Sequence, residues 1–177
     1  HPVAKRLLWQ RLCERNALQY RLKGTEKRSR GPIVVCVDES GSMHGEPNEW
    51  AKGLALALLD AAAKQGRGFA LIKFDTRITG RLDAAVGEKP PTEKLLANLL
   101  SFAGGGTRFE PALDVARKVI DGHRDAGGPH LRDADVILVT DGLCDVPDDW
   151  GRAWDAWREA TGTTCYAIPI GQTPTDE

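Results

Sequence analysis

Five oxygen-bearing side chains fall where a chain of this pattern would place chemistry. Asp38, Ser40 and Ser42 are spaced by two in Asp38-Glu39-Ser40-Gly41-Ser42, directly after the apolar run Ile33 to Val37. Gly41 permits a sharp turn there, so one carboxylate and two hydroxyls can face a common point. Thr107 follows Gly104-Gly105-Gly106, a stretch through which backbone can pass closely. Asp141-Gly142 follows another short apolar run, Val136 to Thr140. The set offers two carboxylates and three hydroxyls, with no nitrogen or sulfur. That chemistry suits a hard divalent cation such as Mg²⁺, or Mn²⁺ or Ca²⁺ in its place.

The elements needed to gather these residues can be read along the chain. Ile33 to Val37, Phe69 to Phe74, Val136 to Thr140 and Thr163 to Ile170 are short apolar runs with the character of buried strands. Arg77 to Leu82 reads as an antiparallel edge strand joined to its predecessor by a tight Asp75-Thr76 connection. Pro47 to Lys64, Pro91 to Phe102, Pro111 to Ile120 and Pro147 to Ala160 read as helices, the last with Asp145 as its expected N-cap. Alternating strands and helices predict an α/β fold, a Rossmann-like, doubly wound and mainly parallel sheet with helices on both faces and one antiparallel edge strand. Ligands of such sheets bind at the carboxyl ends of the strands, which is where Asp38 and Asp141 lie.

Neighbouring residues have plainer roles. Glu39 is expected to point away from the cluster, because the residues on either side of it point in. Trp150, Trp154 and Trp157 share a helical face and read as a core-facing stripe. His44 reads as a solvated loop histidine, and Cys144 has no histidine placed to activate it. The four cysteines lie far apart and read as free thiols of a reducing cytosol, which gives a cytoplasmic expectation.

Charge divides the chain. Residues 1–30 carry nine basic and two acidic side chains, a net +7, and residues 31–177 carry fifteen basic and twenty-three acidic ones, a net −8. Val3 to Leu18 reads as a basic amphipathic helix, and Gly24 to Arg30 as a solvated linker, so 1–30 is a lead-in segment and 31–177 the domain. The basic helix is read first as packing its leucines on the domain, then as a contact for an acidic partner. Nucleic acid ranks last, since no RNA-binding motif or aromatic interleaving accompanies the charge. No apolar run approaches the roughly 20 residues of a membrane span. The chain opens at His1, which reads as a piece excised from something longer.

In their order and spacing, Asp38-Glu39-Ser40-Gly41-Ser42, Thr107 and Asp141-Gly142 resemble the metal-ion-dependent adhesion site of von Willebrand factor A domains, over about residues 31 to 171. The resemblance implies Mg²⁺ held by Ser40, Ser42 and Thr107, with Asp38 and Asp141 direct or through water, and a partner protein's carboxylate completing the cation's free position. Leu18 to Arg30, Gly31 to Asp38, Ala51-Lys52 and Ala55 to Leu58 are similar to ViaA-type proteins, bacterial cytosolic partners of MoxR-family AAA+ ATPases. Such domains continue beyond Gly171 into a final helix, so the likeness implies a C-terminal edge cut short. On this reading the chain is a binding module with no catalytic residue. The alternative is a Mg-dependent hydrolase or phosphatase, against which stands Ser40 where such enzymes carry a second carboxylate.

Overall fold

The computed structural model of the chain describes residues 31–127, 133–142 and 144–170. The basic segment 1–30, with Cys13, and the C-terminal edge beyond Ile170 lie outside the described residues, and so do the readings made of them. Among the described residues, no helix is long and apolar enough to cross a membrane.

Five strands form one sheet: β1 (Ile33–Asp38), β2 (Phe69–Phe74), β3 (Ile78–Ala84), β4 (Asp135–Thr140) and β5 (Thr164–Pro169). Their order is β3-β2-β1-β4-β5, with β1 parallel to both β2 and β4, β4 parallel to β5, and β3 antiparallel to β2. This is the doubly wound, mainly parallel sheet with one antiparallel edge that the sequence predicts. β1 is buried at every residue because strands flank it and helices cover both of its faces.

Helices α1 (Glu46–Gln65) and α2 (Thr92–Leu100) lie on one face, where Val35, Val37, Ile137 and Val139 meet Ala51, Ala55 and Leu95. On the other face, Val34, Cys36, Val136 and Leu138 meet α3 (Phe109–Gly127) and α4 (Asp148–Thr161) through Ala112, Ala116, Ile120, Trp154 and Trp157. The alternation of β1 side chains between these two cores is the period-two pleat of a strand. α1 ends on Gly66 in the left-handed conformation (φ 63°), whose N–H reaches back to the carbonyls of Ala62 and Ala63.

Three details depart from expectation. Asp145 does not cap α4: Pro147 occupies that position without any side-chain capping bond, and the acidic first turn, Asp148 and Asp149, supplies the favourable charge instead. α3 starts two residues earlier than Pro111 and runs on to Gly127. The β2–β3 connection takes three residues, because Asp75 folds back to accept the Arg77 amide at 2.9 Å.

The sheet runs from β1 outward to β2 and then returns to β4 on the opposite side of β1. The crevice of such a reversal opens at the carboxyl ends of β1 and β4, where the chain carries Asp38 and Asp141. At the other end of these strands the buried Arg67 guanidinium pairs with Asp135 at 2.7 Å and donates to the carbonyls of Gly31 and Asp133, fixing β1 and β4 relative to each other.

Candidate functional site

Asp38 is the last residue of β1 and has no exposed surface. Its two carboxylate oxygens are held by neutral donors: Oδ1 accepts the Ser40 amide at 2.8 Å, and Oδ2 accepts the Thr140 hydroxyl at 2.5 Å. Burial pushes the carboxyl above its ordinary range, the hydrogen bonds from Thr140 and Ser40 pull it back in part, and the charge of Asp141 adds to the rise.

After Ser40 the chain makes a single tight helical turn, Gly41–Met43, pinned by the Met43 amide on the Ser40 carbonyl at 3.0 Å. Met43 is fully buried in the α1 core and anchors that turn. Ser42 therefore points outward, and a continuous line of oxygens follows: Ser40 Oγ to Ser42 Oγ at 3.2 Å, and Ser42 Oγ donating to Asp141 Oδ1 at 2.9 Å. The line starts in the core at Asp38 and Ser40 and ends at the half-buried Asp141 and the exposed Ser42.

The glycine loop docks on this turn. Gly105 bridges to Ser40, its carbonyl accepts the Gly41 amide at 2.8 Å, and Gly104 donates to the Glu39 carbonyl at 2.9 Å. Gly105 has to lack a side chain, because a Cβ there would collide with Asp75 Oδ2. Thr107 is half-buried two residues farther on, and the Arg108 amide fastens to the Asp75 carbonyl at 3.0 Å. The fold thus joins Asp38, Ser40, Ser42 and Asp141 by hydrogen bonds. It carries Thr107 to the same edge, but among the described residues Thr107 has no hydrogen bond to those four.

Glu39 turns away from the oxygens, as expected, and into the opposite layer. There it forms an ion pair with Lys73 at 2.6 Å, each side chain 1% exposed, and accepts the Thr79 hydroxyl at 2.6 Å. His44 is exposed and meets the Phe102 ring edge-on at 5.5 Å between centroids. The tryptophans are structural: Trp154 and Trp157 are buried, and the indole N–H groups of Trp150 and Trp157 donate to Asp114 and Asp121 on α3.

Sequence reasoning passed over Thr140, Asp75, Met43 and Lys73. Lys73 had a legible signal, since a lysine inside the apolar run FALIKF requires a buried partner. Thr140 had a fainter one, a hydroxyl one residue before Asp141 on a strand beside Asp38. Asp75 and Met43 depend on loop geometry that spacing does not report.

The cluster is acidic and all-oxygen. Among the described residues no lysine, arginine or histidine forms an ion pair with Asp38 or Asp141. Two carboxylates at one strand edge, one of them buried, with hydroxyls beside them and no countercharge, fit a hard cation and do not fit an anion.

The chain is similar to several known proteins. The family model for the von Willebrand factor type A domain matches residues 33–143. Two proteins of Methanocaldococcus jannaschii are similar to the chain, MJ0811 at 27% identity over 94% of the chain and MJ0077 at 31% over 95%. The regulatory protein ViaA of Proteus mirabilis is 27% identical over 75% of it. The chain spans only 36%, 40% and 29% of these three relatives. Among solved structures, proximal thread matrix protein 1 of the mussel byssus matches with a TM-score of 0.57 at 24% identity, covering 81% of this chain and 38% of that one. An aerotolerance-related membrane protein of Bacteroides fragilis matches at 0.53 and 16% identity, covering 84% and 76%. At these identities the two structures speak for the fold alone.

Proposed function

The chain belongs to the von Willebrand factor type A domain family, and from that premise we propose that it is a binding module that captures an acidic side chain of a partner protein through a divalent cation. Asp38, Ser40, Ser42, Thr107 and Asp141 are the residues that would hold the ion, Mg²⁺ or a related hard cation. The observation that carries this reading is the hydrogen-bonded line from Asp38 to Asp141, a pair of carboxylates that no cation among the described residues pairs with, at the switch point of the sheet. A bound cation supplies a Lewis-acidic position able to accept a carboxylate oxygen from outside.

The chain's own residues prepare that position. Thr140 and the Ser40 amide hold Asp38 in one orientation, so its oxygens need no rearrangement when an ion arrives. Ser42 orients Asp141 from the exposed side. Docking of the glycine loop on Glu39, Ser40 and Gly41 carries Thr107 to the same edge as these residues, which is consistent with a ligand role. Ser40 stands two residues after Asp38, where an acid/base carboxylate would serve a phosphatase, so the site supports binding and not hydrolysis.

A regulatory relative, ViaA, supports a role in a protein assembly, and the partner we propose is a MoxR-type AAA+ ATPase in a cytoplasmic setting. The test is co-purification of such an ATPase from the same organism with the 177-residue chain, in Mg²⁺ and in EDTA. Capture is expected to require Mg²⁺ and to vanish in Ser40→Ala and Asp141→Ala while circular dichroism stays unchanged. Capture that survives both chelator and substitution would refute the reading, as would Mg²⁺-dependent phosphoester hydrolysis lost in Asp38→Asn.

A further inference from the structure

A second cluster lies behind the first, in the opposite layer of the sheet. Lys73 on β2 is 1% exposed, and four oxygens approach its ammonium within 3.0 Å. These are Glu39 Oε1 at 2.6 Å, the Asn98 carbonyl at 2.6 Å, Ser101 Oγ at 2.7 Å and the Ser101 carbonyl at 3.0 Å. Three of the four belong to the C-terminal end of α2, where a cation also meets the negative end of the helix dipole. Glu39 in turn is held by Thr79 on β3. Gly80 makes room, since a Cβ there would sit 2.8 Å from Asn98 Oδ1 and 3.2 Å from Lys73 Cε.

The backbone of Glu39 has a separate set of partners. Its N–H donates to the Phe74 carbonyl at 2.6 Å, and its carbonyl accepts Gly104, which belongs to the loop that carries Thr107. One residue, flanked by Asp38 and Ser40, is therefore tied through its side chain to α2 and through its backbone to the loop that follows α2. α2 itself has no buried side chain, and among the described residues Leu95 and, just past its end, Phe102 are its partly buried apolar contacts with that core. With so little apolar anchorage, the end of α2 is held mainly by Lys73.

A buried ion pair is a poor source of stability compared with apolar residues of the same size, and its best-attested use is to fix one arrangement among several. We propose that Glu39 and Lys73 are a positioning pair: they lock the end of α2 and the loop 101–107 against Asp38–Ser42, and so set how tightly the front cluster holds its cation. This rests on the metal-binding reading for the affinity, but the locking itself is independent of any metal.

The test pairs two measurements on the 177-residue chain and on Glu39→Gln/Lys73→Met, which removes both charges together and avoids leaving one unpaired. Hydrogen exchange at the Gly41 and Gly104 amides reads the locking, and Mn²⁺ titration by calorimetry reads the affinity. Exchange at both amides is expected to accelerate by roughly tenfold, and Mn²⁺ binding to weaken by about the same factor, with α3 exchange unchanged. Unchanged exchange at Gly41 and Gly104 in the folded variant overturns the proposal. Faster exchange with unaltered Mn²⁺ affinity also overturns it, because the pair would then be structural only. A parent chain that binds no Mn²⁺ refutes the metal reading and the affinity half with it, and exchange then decides the locking alone. If the double variant does not fold, Thr79→Val keeps both charges and removes only one hydrogen bond to Glu39. Its expected effect is roughly a threefold loss of Mn²⁺ affinity, and no change in either measurement would overturn the proposal.

Discussion

Asp38 and Glu39 are adjacent in the chain and both buried, yet the two sides of β1 treat them in opposite ways. Glu39 faces a lysine, with its second oxygen on a threonine hydroxyl. Among the described residues Asp38 faces neutral donors, an amide and a hydroxyl, with a second carboxylate nearby. Burying a carboxylate without a countercharge is costly, and a fold tolerates that cost where something else supplies the charge. The side that carries its own cation is finished as a structure. On the other side, where no cation among the described residues pairs with Asp38, burial pushes the carboxyl up, and on the proposed reading a bound ion would supply the charge.

The sharpest way to break this contrast is to remove the internal cation. Lys73→Met alone leaves Glu39 buried and unpaired, and it frees the Asn98 and Ser101 carbonyls. A loss of about 3–5 kcal/mol is expected, the usual penalty for breaking a buried pair from one side. Urea denaturation followed by circular dichroism measures it. A loss no larger than that of an exposed pair such as Arg81–Asp83 would mean that water reaches Glu39, and the contrast between the two carboxylates would collapse.

A third kind of carboxylate sharpens the comparison from outside. Asp121 on α3 is 43% exposed, accepts the Trp157 indole N–H at 3.0 Å, and has the Arg117 guanidinium 3.7 Å away. Water reaches it, so it needs neither a buried lysine nor a bound ion. Trp157→Phe keeps most of the aromatic packing against Trp154 and removes that hydrogen bond. The expected cost is about 1 kcal/mol by thermal denaturation, well below the Lys73 effect. A cost equal to that of Lys73→Met would show that exposure does not govern how these carboxylates behave.

The front side of the contrast was far more legible in the sequence than the back. Asp38, Ser40, Ser42 and Asp141 follow apolar runs, and their types alone declare an oxygen cluster. The sheet is legible for a similar reason: IVVCVD and DVILVT are short and rich in β-branched residues, the pattern of strands buried on both faces. The Glu39–Lys73 pair was half visible, since a lysine in FALIKF demands a partner. Naming that partner needs the register that sets Val37 beside Lys73 and Asp38 beside Phe74. Asp145 misled because an aspartate shortly before a helix resembles a cap, whereas Pro147 fixes the backbone at the entry and leaves Asp145 outside it. Gly105 shows the other limit: its need to be glycine comes from Asp75, thirty residues earlier, and no local pattern records that meeting.

The smallest effect tests the front carboxylate directly. A carboxyl whose folded pKa is raised favours the folded state while it is protonated, and that contribution fades as pH climbs through the raised value. Asp38 is such a group, so the metal-free protein is expected to lose a little stability as pH rises above the ordinary carboxylate range. Asp38→Asn fixes the neutral form, and in EDTA it is expected to melt at or slightly above the parent at neutral pH, a gain of under about 1 kcal/mol. In Mg²⁺ the sign reverses on the proposed reading. Deprotonation then creates the binding site, so the parent gains stability as pH rises while the Asn variant does not. Thermal melts of both proteins in Mg²⁺ and in EDTA, from about pH 4 to pH 8, give four curves. If the parent's curves in Mg²⁺ and EDTA run parallel, Asp38 is an ordinary buried acid, and it differs from Glu39 only in having no lysine beside it.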